Sequence, residues 1–184
     1  MDILEVLNRC RSVREYREKP LPSDVLNTLL SCLHMAPSAS NRQPWRFIVV
    51  QDEEKKRQVA AAARSQFFIA QAPVVIVGCG FPDQAQEFSG GLGNSLQTDI
   101  SIAFDRFMVA AAAHHIGTCW IGSFDEVEIR QILGIPASVR VGALTPVGYP
   151  KDPSVFHEPA SEERRPVDQV VAFVEAVADD GDAV

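Results

Sequence analysis

Five basic side chains, Arg9, Arg11, Arg14, Arg17 and Lys19, fall within eleven positions of a 184-residue chain whose formal net charge is −7. Guanidinium forks match phosphate oxygens, and the hydroxyls of Ser12 and Ser23 can complete an anion shell. Taken on charge alone, the run is what a solvated basic face looks like. A second basic pair, Arg164 and Arg165, lies far along the chain and can join the first only if the fold brings them together. The other chemical stretch is APSASNRQPWRF, residues 36 to 47. It sets Ser38, Ser40, Asn41 and Gln43 between two prolines and runs straight into an apolar segment. A plain helix-to-strand connector needs only a Gly or an Asn. This density of short hydrogen-bonding groups therefore reads as a pocket loop, the kind of segment that carries function.

Side chains for acid, base or nucleophilic work are not grouped in the sequence. HExxH, GxSxG and metal-spaced Cys/His sets are absent. His114 and His115 read as mid-helix residues, one packed and one exposed, and His34 and His157 are isolated. Cys119, beside Trp120, has no evident base and reads as a packed thiol. Cys10, Cys32, Cys79 and Cys119 contain no CxxC pair, which suits reduced thiols of a cytoplasmic protein. GGLGNS (90–95) matches neither a Walker loop nor GxGxxG and reads as a connector. A pocket loop without catalytic side chains points to chemistry carried by a cofactor.

The elements that must position these residues follow from periodicity. With 46% hydrophobic and 22% charged residues, the composition is that of a globular protein, and the length suits one domain. The acidic balance argues against nucleic acid as a partner. No apolar run reaches membrane-spanning length, and MDILEVLNRC lacks a signal-peptide core. Helices are predicted over 2–10 (Asp2 as cap), 23–35 (Ser23 as cap), 53–64 (Asp52 as cap) and 95–115. A further helix follows a Ser123/Glu126 capping box and ends at Gly134, and a last amphipathic one covers 167–178. Strands are predicted over 45–50, 72–79, 118–122 and 141–149. The result is a mixed α and β domain over 1–178, with 179–184 as a flexible tail.

Six segments occur in a recognisable order: RCRSVREY (9–16), APSASNRQPWRFIVV (36–50), AQAPVVIVG (70–78), DISIAFDRFMVAAAAHHIGTCWIGSF (99–124), LGIPASVRVGALTPVGYP (133–150) and RRPVDQVV (164–171). Together they resemble the short form of the nitroreductase family of FMN-dependent oxidoreductases. The resemblance implies an α+β fold, with a central, mostly antiparallel sheet flanked by helices, built into an intertwined homodimer. It implies a tightly bound, non-covalent FMN at each of two interface sites, NAD(P)H as a transient electron donor, and no nucleic-acid or membrane partner. Carried over residue by residue, it assigns Arg11 and Ser12 to the phosphate and ribityl end and Arg14 to the reduced ring near N1 and O2. Pro37, Ser38, Ala39 and Asn41 would line the flavin of the other subunit. Gln66 would touch the ring, and the backbone of Ile121, Gly122 and Ser123 would face N5 and O4. Arg164 or Arg165 would reach the phosphate.

Two departures stand out. The family often has two arginines before the serine, and here the first position is Cys10. Some members carry a lysine before the second strand, where this chain reads QFFIAQ. The implied activity is electron transfer from NAD(P)H to nitroaromatics, quinones or other flat acceptors by a ping-pong cycle. The alternatives are a flavin carrier or sensor, a reductive dehalogenase or flavin-fragmenting enzyme with lids drawn from 80–98 and 150–163, and a helix-rich module binding an acidic partner.

Overall fold

The computed structural model describes residues 2–87, 93–157 and 164–174. Among these residues four strands, β1 (Trp45–Val50), β2 (Val74–Gly80), β3 (Gly117–Thr118) and β4 (Arg140–Gly148), form one antiparallel sheet in the order β1-β2-β4-β3. The helices are α1 (Ile3–Arg9), α2 (Ser23–His34), α3 (Glu53–Ala62), α4 (Phe68–Gln71), α5 (Leu96–Ala113) and α6 (Glu126–Leu133).

The sheet is covered on both faces, and β2 is buried along its whole length. Its residues alternate, as the pleat requires. Val74 and Ile76 pack with Leu29 of α2 and with Ile100, Phe104 and Phe107 of α5. Val75, Val77 and Cys79 pack with Val59 of α3, Ile69 of α4 and Ile129 of α6. This two-sided burial is why the sequence VVIVGCG is a continuous apolar run.

A bulge breaks the β2–β4 ladder. Gly78 pairs with Ala143 and Cys79 with Val141, so Gly142 is the extra residue. Past the bulge β4 changes face: Ala143 joins the α2/α5 core, whereas Val141 joins the opposite one. A Cβ on Gly142 would lie 2.8 Å from Ile100 Cδ1, so any larger residue here would have to displace the buried Ile100 side chain.

Several helix ends differ from expectation. Asp52 does cap α3, accepting the Lys55 N–H at 2.8 Å. Ser23 instead lies inside α2, whose first turn closes on the Pro22 carbonyl. Asp125, not Ser123, caps α6, accepting from the Glu128 N–H at 3.0 Å. Glu126 is then free to take two hydrogen bonds from Arg140, at 2.8 and 3.0 Å, and one from the Val141 N–H. The strand predicted over 118–122 is short: beyond Thr118 only Ile121 bridges to Leu144.

The predicted last helix does not form across its described part. A single turn, Val167–Gln169, is followed by irregular chain through Val174, and residues 175–178 lie outside the described residues, as does the tail 179–184. Val170, Val171 and Val174 are exposed. Valine is a weak helix former, and a short amphipathic helix needs a surface on which to bury its stripe; among the described residues these valines are not buried against one.

Candidate functional site

The Arg11–Ser12 segment runs beside β3. Ser12 forms a parallel bridge with Thr118, and the Val13 N–H donates to the Thr118 carbonyl at 2.8 Å. The chain then continues from Thr118 through Cys119 and Trp120 to Ile121, Gly122 and Ser123. The backbone ladder therefore brings together two segments that the sequence separates by about a hundred positions. Gln66 belongs to the same group. Its amide donates to the Ala63 carbonyl at 2.8 Å and to the Ser123 carbonyl at 3.3 Å.

Within this group Arg11 is the chemically open residue. One guanidinium nitrogen donates to the Cys10 carbonyl at 2.8 Å, while the other, Nη2, is buried and has no hydrogen-bond partner. A buried, unpaired guanidinium nitrogen is costly. The partner it fits is an anion, and the exposed Ser12 next to it can add a hydroxyl. Arg14 is exposed and lies between two open clefts of about 720 and 450 Å³. The Ile121 N–H is spent on the Leu144 carbonyl at 2.9 Å, so the N–H groups open to a ligand on this stretch belong to the exposed Gly122 and Ser123.

Pro37, Ser38, Ala39 and Asn41 form a second group. The loop from 37 to 44 contains one 3₁₀ turn, Ala39–Asn41, and three non-glycine residues in the left-handed region: Ser40 (φ 51°), Asn41 (φ 54°) and Gln43 (φ 50°). Such residues are uncommon, and several together mark a segment held by its surroundings. The anchors are visible. The Ala39 N–H donates to Asp99 Oδ1 at 2.9 Å. Ser38 Oγ accepts the Gln43 N–H at 2.8 Å. Gln86 Oε1 receives both the Ser40 hydroxyl at 3.1 Å and Arg42 Nε at 3.0 Å. Asn41 stays exposed.

Asp99 and Gln86 were not readable as site residues. Asp99 lies in the first turn of α5, where an acid is ordinary. The only signal in the sequence was an ionisable group on a helix face otherwise occupied by Leu96, Ile100 and Ala103. Among the described residues no hydrogen bond or ion pair joins the Arg11 group to the 37–44 loop. Arg164 and Arg165 are exposed and make neither kind of contact with Arg11 or Ser12.

An aromatic row links the two regions through the core. Trp45 meets Phe47 (6.1 Å), Phe47 meets Phe104 edge-on (5.6 Å), and Phe104 meets Trp120 edge-on (5.7 Å). The cysteines are all free thiols. Burial raises the Cys10 thiol, with Asp105 adding to the effect, and pushes Cys79 up to about 11, so neither is an activated nucleophile. Among the described residues no group of three or more His, Cys, Asp or Glu can hold a metal, and no helix is long and apolar enough to cross a membrane.

A family model described as the nitroreductase family matches residues 7–91 and 63–149. A protein of Archaeoglobus fulgidus, provisionally named NADH dehydrogenase/NAD(P)H nitroreductase, is 31% identical over 161 residues, covering 85% of this chain and 90% of that protein. An FMN reductase [NAD(P)H] of Bacillus subtilis is 28% identical over 168 residues, covering 83% of this chain and 68% of that protein. The crystal structure of a nitroreductase family protein from Clostridium difficile 630 superposes with a TM-score of 0.84 at 26% identity, covering 94% of this chain and 98% of that one.

Proposed function

The chain belongs to the nitroreductase family, and from that premise we propose that it is an FMN-dependent NAD(P)H oxidoreductase whose acceptors are flat electrophiles such as nitroaromatics and quinones. The observation that carries the reading is Arg11. It presents a buried guanidinium nitrogen without a partner, on a segment laddered to the strand that leads into Ile121–Ser123. That placement suits the phosphate of a flavin mononucleotide whose ring lies along Gly122 and Ser123. FMN would supply the redox chemistry, accepting reducing equivalents from NAD(P)H and yielding them to the acceptor. The chain's own part is to bind, orient and exclude water. Arg11 and Ser12 hold the anionic end. Arg14 supplies positive charge beside the ring. Gln66, tied to the Ser123 carbonyl, keeps that edge of the site in place.

The proposed assembly is a homodimer with two composite sites. Two observations support it. The Arg11 group and the 37–44 loop are each well anchored, yet they are not bonded to each other. In addition, Ile3, Leu4, Leu7 and Met35, together with Val167, Val170, Phe173 and Val174, are exposed apolar side chains that a single copy leaves uncovered. One copy would give Arg11, Ser12, Arg14, Gln66, Gly122 and Ser123. Its partner would give Pro37, Ser38, Ala39 and Asn41, with Arg164 or Arg165 closing on the phosphate.

The test is a visible spectrum of the purified protein, supplemented with FMN and then titrated anaerobically with NADPH or NADH. Flavin bands that bleach support the proposal. Bands that persist with both donors favour a carrier or sensor. A protein that takes up no FMN refutes the proposal.

A further inference from the structure

Asp99 is a buried acidic side chain that the proposed reaction does not use. It is 2% exposed, and its surroundings on α5 are Leu96, Ile100 and Ala103. One oxygen accepts the Ala39 N–H across sixty positions of sequence, and the other, Oδ2, is buried with no hydrogen-bond partner. Such a carboxylate is expensive. An apolar residue of similar shape removes that cost, and the half-buried Ala39 N–H, freed of its anchor, can turn to water, so the exchange is neutral or stabilising for the fold. What the side chain fixes is specific: Ala39 opens the turn in which Ser40 and Asn41 adopt left-handed backbone, followed by Gln43. Without an anchor at Ala39, three strained residues can relax toward ordinary angles, and Asn41 loses its position.

We infer that Asp99 is a positioning residue: its carboxylate holds the 37–44 loop in the strained form that receives the cofactor, at the expense of fold stability. The inference rests on the flavin reading of that loop. Asp99 does not touch the ligand; it acts through the Ala39 N–H. Affinity and stability should therefore respond to substitution in different directions, which a residue that only supports the core would not produce.

The experiment compares Asp99→Leu and Asp99→Asn with the wild-type protein. Leucine matches the apolar helix face and accepts no hydrogen bond. Asparagine can still accept from Ala39. The expected result is that Asp99→Leu melts at or above the wild-type temperature yet binds FMN about tenfold more weakly, or worse, in titrations of the apoprotein. Asp99→Asn stays within about threefold of wild type. In the FMN-free protein, amide hydrogen exchange at Ala39 and Asn41 speeds up in Asp99→Leu and not in Asp99→Asn. Unchanged FMN affinity in Asp99→Leu overturns the inference, as does equal loss in both variants. If wild type itself takes up no FMN, the flavin reading fails, and the exchange rates alone decide the anchoring: equal rates in wild type and Asp99→Leu overturn it.

Discussion

Replacing Arg11 by alanine separates cofactor binding from folding. In the ligand-free chain the guanidinium makes one hydrogen bond, to the Cys10 carbonyl, and leaves Nη2 buried and unpaired. Truncation removes a bond worth about 1 kcal/mol and an unsatisfied donor of opposite effect, so stability changes by less than about 1 kcal/mol. A phosphate bound by Arg11 loses a charge-assisted contact worth about 1.5–3 kcal/mol, which corresponds to roughly 10- to 150-fold weaker FMN binding. Arg17 is the control from the same basic run. Its Nε and Nη2 already donate to the Lys151 carbonyl at 3.3 and 3.2 Å. Arg17→Ala should leave FMN affinity within about twofold. The assay is quenching of flavin fluorescence as apoprotein is added at fixed FMN, with thermal melts of both variants alongside. Equal losses from Arg11→Ala and Arg17→Ala, or no loss from Arg11→Ala, would refute the phosphate assignment.

Four further outcomes are expected. His115 follows the C-cap of α5 with φ 55°, and the Ile116 N–H closes on the Ala111 carbonyl at 2.8 Å, the helix-ending geometry that glycine favours; His115→Gly should stabilise by about 0.5–1 kcal/mol and raise Tm by about 1–4 °C, whereas His115→Ala should not. A Cβ on Gly78 would meet Phe104 Cε2 at 2.4 Å, so Gly78→Ala should cost about 1–3 kcal/mol and perturb the tryptophan emission through the Phe104–Trp120 contact; unchanged melting would contradict the packing. Burial alone would raise the Glu126 carboxyl, but hydrogen bonds from Arg140 and the Val141 N–H, with the charges of Arg140 and Arg130, hold it below the usual range. Its stabilising contribution is therefore complete above the ordinary glutamate range and fades as pH falls through the lower, folded-state value, and Glu126→Gln should flatten that acid limb in melts taken as a function of pH. Sedimentation at micromolar concentration should show a dimer, and a monomer that still holds FMN would remove the cross-subunit role of Asn41.

Much of the scaffold was legible because its signals are local. The 3.6-residue spacing of Ile100, Phe104, Phe107 and Ala111 gives α5, and the apolar run at 74–77 gives β2. Asp52 and Gly134 mark their helix ends by the same chemistry that favours them there. The errors arose where two local solutions compete. Ser123 and Asp125 can each cap α6, and Asp125 prevails while Glu126 is drawn off to Arg140. The valines at 170, 171 and 174 have helical spacing, but a stripe without a surface beneath it does not pay for ordering the backbone.

The site divides along the same line. Arg11, Ser12 and the Ile121–Ser123 stretch could be placed together only by a resemblance, because what joins them is a single bridge, Ser12 to Thr118, on a strand two residues long. Asp99 and Gln86 were illegible for a different reason. Each has an ordinary identity at an ordinary position, and its role exists only relative to a loop sixty or forty-odd positions away. What the sequence does display is the consequence: a loop rich in Ser, Asn and Gln, which tolerate unusual backbone and bond their own chain. That composition fits a segment shaped by others, since a loop that held its own left-handed turns would use glycine. The stretch 37–44 contains none, so beyond its internal Ser38–Gln43 bond its shape depends on the α5 carboxylate and on Gln86, and any ligand that reads the loop also reads the state of those anchors.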